Sequence, residues 1–269
     1  MNNSICLNSN TYHGFTLEEA VEGASRAGIK LIELAGVNGW TEHVRNDYTD
    51  AQITEVLDLL KSNDIKAIGM CGHTNIQTKE GQETFKKNLQ LAQRLGVQYV
   101  TLSTGETHGD GSVIGDDTEL VNIIRELGLF AKSLGLDMAI ETHGNNFATG
   151  QNVIALLKKV NLPNVRLNYD TGNVVFYGAT EPYDDLDAST GSILGIHLKD
   201  KSGAQNEWNF PAVGRGDLDF DRILKILKKN GCKVALSIEI EFTPAGPNGV
   251  EDVHESLAYS VNTIKRLSA

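Results

Sequence analysis

The stretch AIETHGNN, residues 139–146, begins like a buried strand and ends on Glu141 and His143. In a strand, residues i and i+2 face the same side. Glu141 and His143 therefore stand with the small Ala139, while Met138 and Ile140 stand opposite. The pattern recurs further along. His197 and Lys199 share a side with Gly195, and Glu239 and Glu241 share one with Ala235 and Ser237, opposite Val234, Leu236, Ile238 and Ile240. Asp170 closes another such run in NYDTGN. Large residues can cover one side of each strand, and the small and ionisable ones leave room for a cavity on the other. Three carboxylates and one imidazole (Glu141, Asp170, His197, Glu239) at one end of four successive strands would be costly to bury unpaired. A divalent cation resolves this. The oxygen-rich set suits Mn²⁺ first, with Mg²⁺ or Co²⁺ as alternatives. Singly, each residue has a plainer explanation: a helix cap, an ion-pair partner or a core histidine. The plain explanations do not account for four strands agreeing.

The elements that must position these groups are visible in the punctuation. SRAGIKLIEL, QRLGVQYVTL, KSLGLDMAI and KKNGCKVALSIE each run from a helix-like segment through a glycine into a β-rich run, and KSNDIKAIGM does so with Asn-Asp at the turn. Glycine just past a helix end supplies a left-handed cap, and the run after it is the next strand. The spacing predicts strands near 4–8, 29–34, 65–71, 97–103, 136–142, 164–170, 192–198 and 233–240. TLEE at 16–19 and TDAQ at 49–52 read as capping boxes, and a last helix over about 250–267 carries Val253, Leu257, Ile264 and Leu267. Eight βα units at roughly 30-residue spacing fit a single (β/α)₈ TIM barrel over residues 1–269. An open doubly wound sheet would want a glycine-rich phosphate turn after its first strand. Here that turn is NSNTYHG.

In such a barrel the site lies at the C-terminal ends of the strands. Those ends carry Asn8, Glu33, His73, Ser103 with Glu106 and His108 beyond, Glu141 with His143, Asp170, His197 with Lys199, and Glu239 with Glu241. Trp40, Trp208 and Phe210 are candidates for the pocket mouth. The formal charge of −11 is the wrong sign for a nucleic-acid partner. No stretch approaches the ~20 apolar residues of a membrane helix, and MNNSICLNSN does not read as a signal peptide. Cys6, Cys71 and Cys232 lie far apart, which argues against a disulfide framework or a zinc–thiolate site and points to a cytoplasmic protein.

IETHGNN, NYDTGN, GIHLKDK, VGRGDLDF and LSIEIE, in this order, resemble the xylose-isomerase-like barrel superfamily, and within it the sugar phosphate isomerase/epimerase group. The resemblance spans nearly the whole chain and is strongest from residue 136. It implies a metal held by Glu141, Asp170, His197 and Glu239, with Glu241 as competitor for the last place. The chain departs from the ketose 3-epimerases of the group, which have a histidine where Asn173 stands, and from the abasic-site endonucleases, whose Asp-x-His pair after strand seven is missing. Relatives with a stretch like that around His143 act on varied carbohydrates, some by elimination. VGRGDLDF also departs from the group by carrying Arg215 where a Glu or another residue is common, and Arg215 is expected to touch an anionic or polyhydroxyl substrate.

The expected chemistry is proton abstraction α to a carbonyl of a small sugar or polyol, leading through an enediolate to isomerisation or epimerisation. His143 is the first candidate base by intrinsic pKa, with Glu141 or Glu239 as alternatives. His73, Glu106, His108, Lys199 and Arg215 are the expected substrate-binding residues. Loss of a β-substituent, from a 3-keto-glycoside or a keto-inositol, is the alternative outcome. A nuclease and a metal-free carbohydrate binder stand behind both. The expected partner is a small carbohydrate, with neither nucleic acid nor membrane, and a homo-oligomer is compatible with the sequence.

Overall fold

Helix ends dictate where the strands begin. In the computed structural model, which describes residues 3–105 and 116–268, Gly96 and Gly135 sit at φ 70° and 75° in the turns that end two helices. Asp64 and Asn161 take the same left-handed conformation at φ 54° and 52°, so Asx residues replace glycine at those turns.

The strands are β1 (Ile5–Asn8), β2 (Leu31–Ala35), β3 (Lys66–Cys71), β4 (Tyr99–Leu102), β5 (Asp137–Glu141), β6 (Val165–Asp170), β7 (Ile193–Leu198) and β8 (Leu236–Ile238). They form a closed barrel in sequence order, and every pairing is parallel, including β1 with β8. The helices are α1 (Leu17–Arg26), α2 (Asp50–Ser62), α3 (Lys79–Leu95), α4 (Thr118–Ser133), α5 (Gly150–Val160), α6 (Thr171–Phe176), α7 (Pro182–Ser189), α8 (Phe220–Lys229) and α9 (Val250–Ser268). Both capping boxes form: Thr16 with Glu19 opens α1, and Thr49 with Gln52 opens α2. This is a (β/α)₈ TIM barrel with an extra short helix after β6. No helix among the described residues is long and apolar enough to cross a membrane.

The alternation read from the sequence is realised in the layers. Leu7, Ile32, Met70, Val100, Ile140, Leu167, Ile196 and Ile238 join the buried apolar cluster between barrel and helices. The small residues make room inside: a Cβ at Gly69 would lie 2.5 Å from the Tyr99 ring, and one at Gly195 2.5 Å from Asn168 Oδ1. β8 is shorter than expected because the chain leaves the ladder after Ile238. Glu239 N still donates to Leu198 O at 3.2 Å, and Phe242 then forms an antiparallel bridge with Phe210. That departure carries Glu239 and Glu241 onto the barrel rim.

Candidate metal centre and active site

Four strand ends supply the centre. Glu141 is the last residue of β5 and Asp170 the last of β6. His197 lies one residue before the end of β7, and Glu239 follows β8 directly. Each offers one ligand atom, these atoms all lie within 4.8 Å of one another, and all four residues are buried. His197 Nδ1 is 3.4 Å from Glu141 Oε1, 3.7 Å from Asp170 Oδ2 and 3.2 Å from Glu239 Oε2. Asp170 Oδ2, His197 Nδ1 and Glu239 Oε2 are buried without a hydrogen-bond partner. Convergent buried ligand atoms that share ion-pair contacts but no formed hydrogen bond fit a divalent cation.

Hydrogen bonds and a histidine contact orient these carboxylates. Asp170 caps α6: its Oδ1 accepts from Gly172 N and Asn173 N, both at 2.8 Å, which leaves Oδ2 for the cluster. The same aspartate is thus both helix cap and candidate ligand. His73 Nε2 reaches Glu141 Oε2 at 2.9 Å, and Asn173 Nδ2 donates to Glu141 Oε1 at 3.1 Å. Asn8 and Asn10 both donate to Glu239 Oε1, at 3.2 and 2.9 Å.

The cluster is electrostatically divided. Burial raises the Glu141 carboxyl, but the His197 and His73 imidazoles outweigh it and hold the group well below the usual range. Glu239 is likewise held low against burial by Lys199 and His197. Burial wins at Asp170, whose carboxyl is pushed up to about 6 in spite of Lys199. Burial lowers His197 and Lys199, and the surrounding carboxylates more than reverse this for both.

Above the cluster lies a pocket of about 340 Å³, lined among others by Asn10, Trp40, His73, His143, Tyr177 and Trp208. His143 follows the end of β5 and is pinned by its backbone N–H to Phe147 O at 3.2 Å. Its ring packs 4.7 Å from Tyr177 and edge-on, 5.8 Å, from His73. Lys199 also lines the pocket, with Nζ 2.8 Å from Glu241, 3.2 Å from Glu239 and 3.4 Å from Asp170. Glu241 is therefore a partner of Lys199 and is not part of the four-residue cluster. Trp40 and Trp208 do line the pocket, whereas Phe210 is buried behind Trp208, 5.1 Å between ring centroids.

One expected substrate contact is not brought to the pocket. Arg215 is exposed, with its guanidinium 4.4 Å over the Tyr259 ring on α9. Its glycine neighbours serve another group: Asp200 Oδ2 accepts from Gly214 N and Gly216 N, both at 2.8 Å, and Oδ1 from Leu218 N at 3.2 Å. The VGRGDL turn is wound around a buried aspartate, and this turns Arg215 outward. Glu106 and His108 lie outside the described residues. Sequence reasoning gave no role to Asn10, Tyr177 or Asn168. All three are uncharged, and only barrel closure brings them to the carboxylates and imidazoles.

The sequence model of the family described as "Xylose isomerase-like TIM barrel" matches residues 21–260. The chain belongs to this family. It is 30% identical over 148 residues to an inosose dehydratase of Clostridium botulinum, covering 49% of each chain. Across 257 residues it is 23% identical to an inosose isomerase of Halalkalibacterium halodurans, covering 88% of this chain and 87% of that one. The chain thus spans about half the length of the inosose dehydratase it matches and most of the inosose isomerase. Among solved structures, a xylose isomerase domain protein from Planctomyces limnophilus shares the fold at a TM-score of 0.77 and 18% identity, covering 99% of this chain and 98% of that one.

Proposed function

We propose that this protein is a divalent-metal-dependent enzyme. It removes a proton α to the carbonyl of an uncharged keto-sugar or keto-polyol and returns it at the neighbouring carbon or opposite face, as an isomerase or epimerase. The observation that carries this reading is the convergence of Glu141, Asp170, His197 and Glu239 within 4.8 Å beneath a pocket walled by His143. The hard O₃N donor set favours Mn²⁺, with Mg²⁺ or Co²⁺ next. A cation held there would supply Lewis-acid polarisation of the carbonyl and charge stabilisation of an enediolate.

The chain's own residues supply the rest. His143 stands in the pocket wall and has the intrinsic pKa to take the α-proton and give it back. His73 and Asn173 hold the two Glu141 oxygens, so Glu141 is oriented as a ligand more than as a mobile base. The only lysine or arginine among the described lining residues, Lys199, is neutralised by three carboxylates. Residues 106–115, ETHGDGSVIG, add no lysine or arginine. A phosphorylated or carboxylated substrate would find no free lysine or arginine there, which supports an uncharged polyol. Trp40 and Trp208 give its C–H faces an apolar mouth.

Elimination of a β-hydroxyl from an inosose-like ketone is the second reading. It is favoured by the similarity to an inosose dehydratase and by Asn173 in place of the epimerase histidine. Both readings share the proton abstraction. Incubation with Mn²⁺ in D₂O across ketoses, keto-inositols and 3-keto-glycosides tests it: deuterium is expected at the α-carbon, and the product then separates isomerisation from dehydration. Absence of exchange on the whole panel with Mn²⁺, Mg²⁺ and Co²⁺ would reject the proposal.

A further inference from the structure

Glu33, at the heart of the barrel, is fully buried and does not line the pocket. It stands where the β2–β3 register shifts between Ile32 and Glu33, the kind of irregularity that re-aims a side chain. Its Oε2 lies 2.9 Å from His197 Nε2 and accepts from Ser237 Oγ at 3.1 Å. A buried carboxylate with no pocket contact, bonded to the back of a candidate metal ligand, needs an explanation.

We propose that Glu33 is a positioning residue, which fixes the proton of His197 on Nε2 and so presents the Nδ1 lone pair to the metal. A carboxylate oxygen accepts, so the donor in the 2.9 Å contact is Nε2–H. A neutral imidazole protonated on Nε2 has one lone pair left, on Nδ1, and which nitrogen carries the metal is set by the bond the other makes. In this chain Nδ1 is the nitrogen that faces Glu141, Asp170 and Glu239. Two amide nitrogens lie near Nε2, Asn168 Nδ2 at 3.2 Å and Asn8 Nδ2 at 3.4 Å, but an amide N–H cannot donate to a protonated Nε2, and Asn8 Nδ2 donates instead to Glu239 Oε1. Neither carries charge, so only Glu33 raises the ligand's basicity through this back contact. Removing such an outer partner of a metal-bound histidine typically lowers metal affinity by about 10–100-fold.

The inference rests on the metal reading of the cluster and is independent of which substrate is turned over. Zinc-loaded wild-type protein, observed by long-range ¹H–¹⁵N correlation, should show His197 protonated on Nε2 and metal-bound through Nδ1. Calorimetric titration with Mn²⁺ should show affinity lowered about 10–100-fold in Glu33→Ala. Glu33→Gln can still accept from Nε2–H but lacks the charge, and should recover part of that loss. Circular dichroism in EDTA identifies variants that fold. Folded variants that bind Mn²⁺ within ~2-fold of wild type, well short of the usual loss, would overturn the role. So would metal on Nε2 in the zinc form, and this second measurement stands even where both variants fail to fold. Wild-type protein that binds no divalent cation would remove the metal reading itself, whereas metal binding without turnover of any keto-polyol would remove only the proposed reaction.

Discussion

Glu141 and His143 are two residues apart yet are prepared for different work. Both Glu141 oxygens are held, by His73 and Asn173, whereas His143 is gripped by its backbone and by ring packing against Tyr177. His143→Ala should therefore keep its metal, as read by calorimetry, while kcat falls by roughly 10²–10⁴-fold and α-deuterium exchange disappears. Loss of metal in that variant would make His143 a ligand. Asp170 gives a pH prediction. Burial raises its carboxyl to about 6, so the metal-free fold favours the protonated form. The stability this group contributes is present at low pH and lost as pH rises through about 6. Metal needs the carboxylate. Affinity for Mn²⁺ should weaken as pH falls below about 6, and binding near that pH should release protons, measurable by titration in buffers of different ionisation enthalpy. A pH-independent affinity between 5 and 7 would count against Asp170 as ligand. The convergence of Glu141, Asp170, His197 and Glu239 was legible in the sequence because parity and position mark them within their own strands. Glu33 showed itself only as a strand-end residue, because its partner His197 is 164 residues away and the contact exists only once the barrel closes.

At the scale of elements, the βα units could be read because helix ends carry local chemistry. The capping boxes at Thr16 and Thr49 and the turn glycines need no tertiary context. The length of β8 did need it. Leu236–Glu241 alternates like a strand throughout, yet Phe210 captures the chain after Ile238. Arg215 was misread for a related reason. The sequence VGRGDL offers a cation between two glycines, and nothing local reveals that Asp200 already occupies the ring of backbone N–H groups. The structure makes the contrast testable. Asp200→Ala strips the acceptor from Gly214, Gly216 and Leu218 N–H, and these part-buried donors left unpaired cost up to about 1–3 kcal/mol each. With partial rescue by water, a loss of about 3–5 kcal/mol in urea unfolding is expected. Arg215→Ala removes only an exposed stacking contact and should stay within about 0.5 kcal/mol, with catalysis unchanged. A catalytic defect in Arg215→Ala would return this residue to the substrate site.

On the scale of the whole molecule, the four cluster residues come from four consecutive strands, so a bound cation would tie β5 through β8 together across the barrel mouth. The unfolded chain has no such convergence, and binding that is confined to the folded state stabilises it in proportion to ligand excess. At a hundredfold excess over the dissociation constant the increment is about 2.7 kcal/mol. For a domain of this size each kcal/mol moves the melting temperature by about 2–4 °C. Excess Mn²⁺ should therefore raise Tm by roughly 5–10 °C over protein in EDTA. The same cation also relieves repulsion within a chain whose formal charge is −11. Asp170→Asn separates the two effects, since it removes one ligand oxygen and only one charge. If coordination is the cause, this variant loses most of the increment in Mn²⁺ and melts close to wild type in EDTA. If general charge screening is the cause, the variant keeps its response, and monovalent salt at equal ionic strength reproduces it in both proteins.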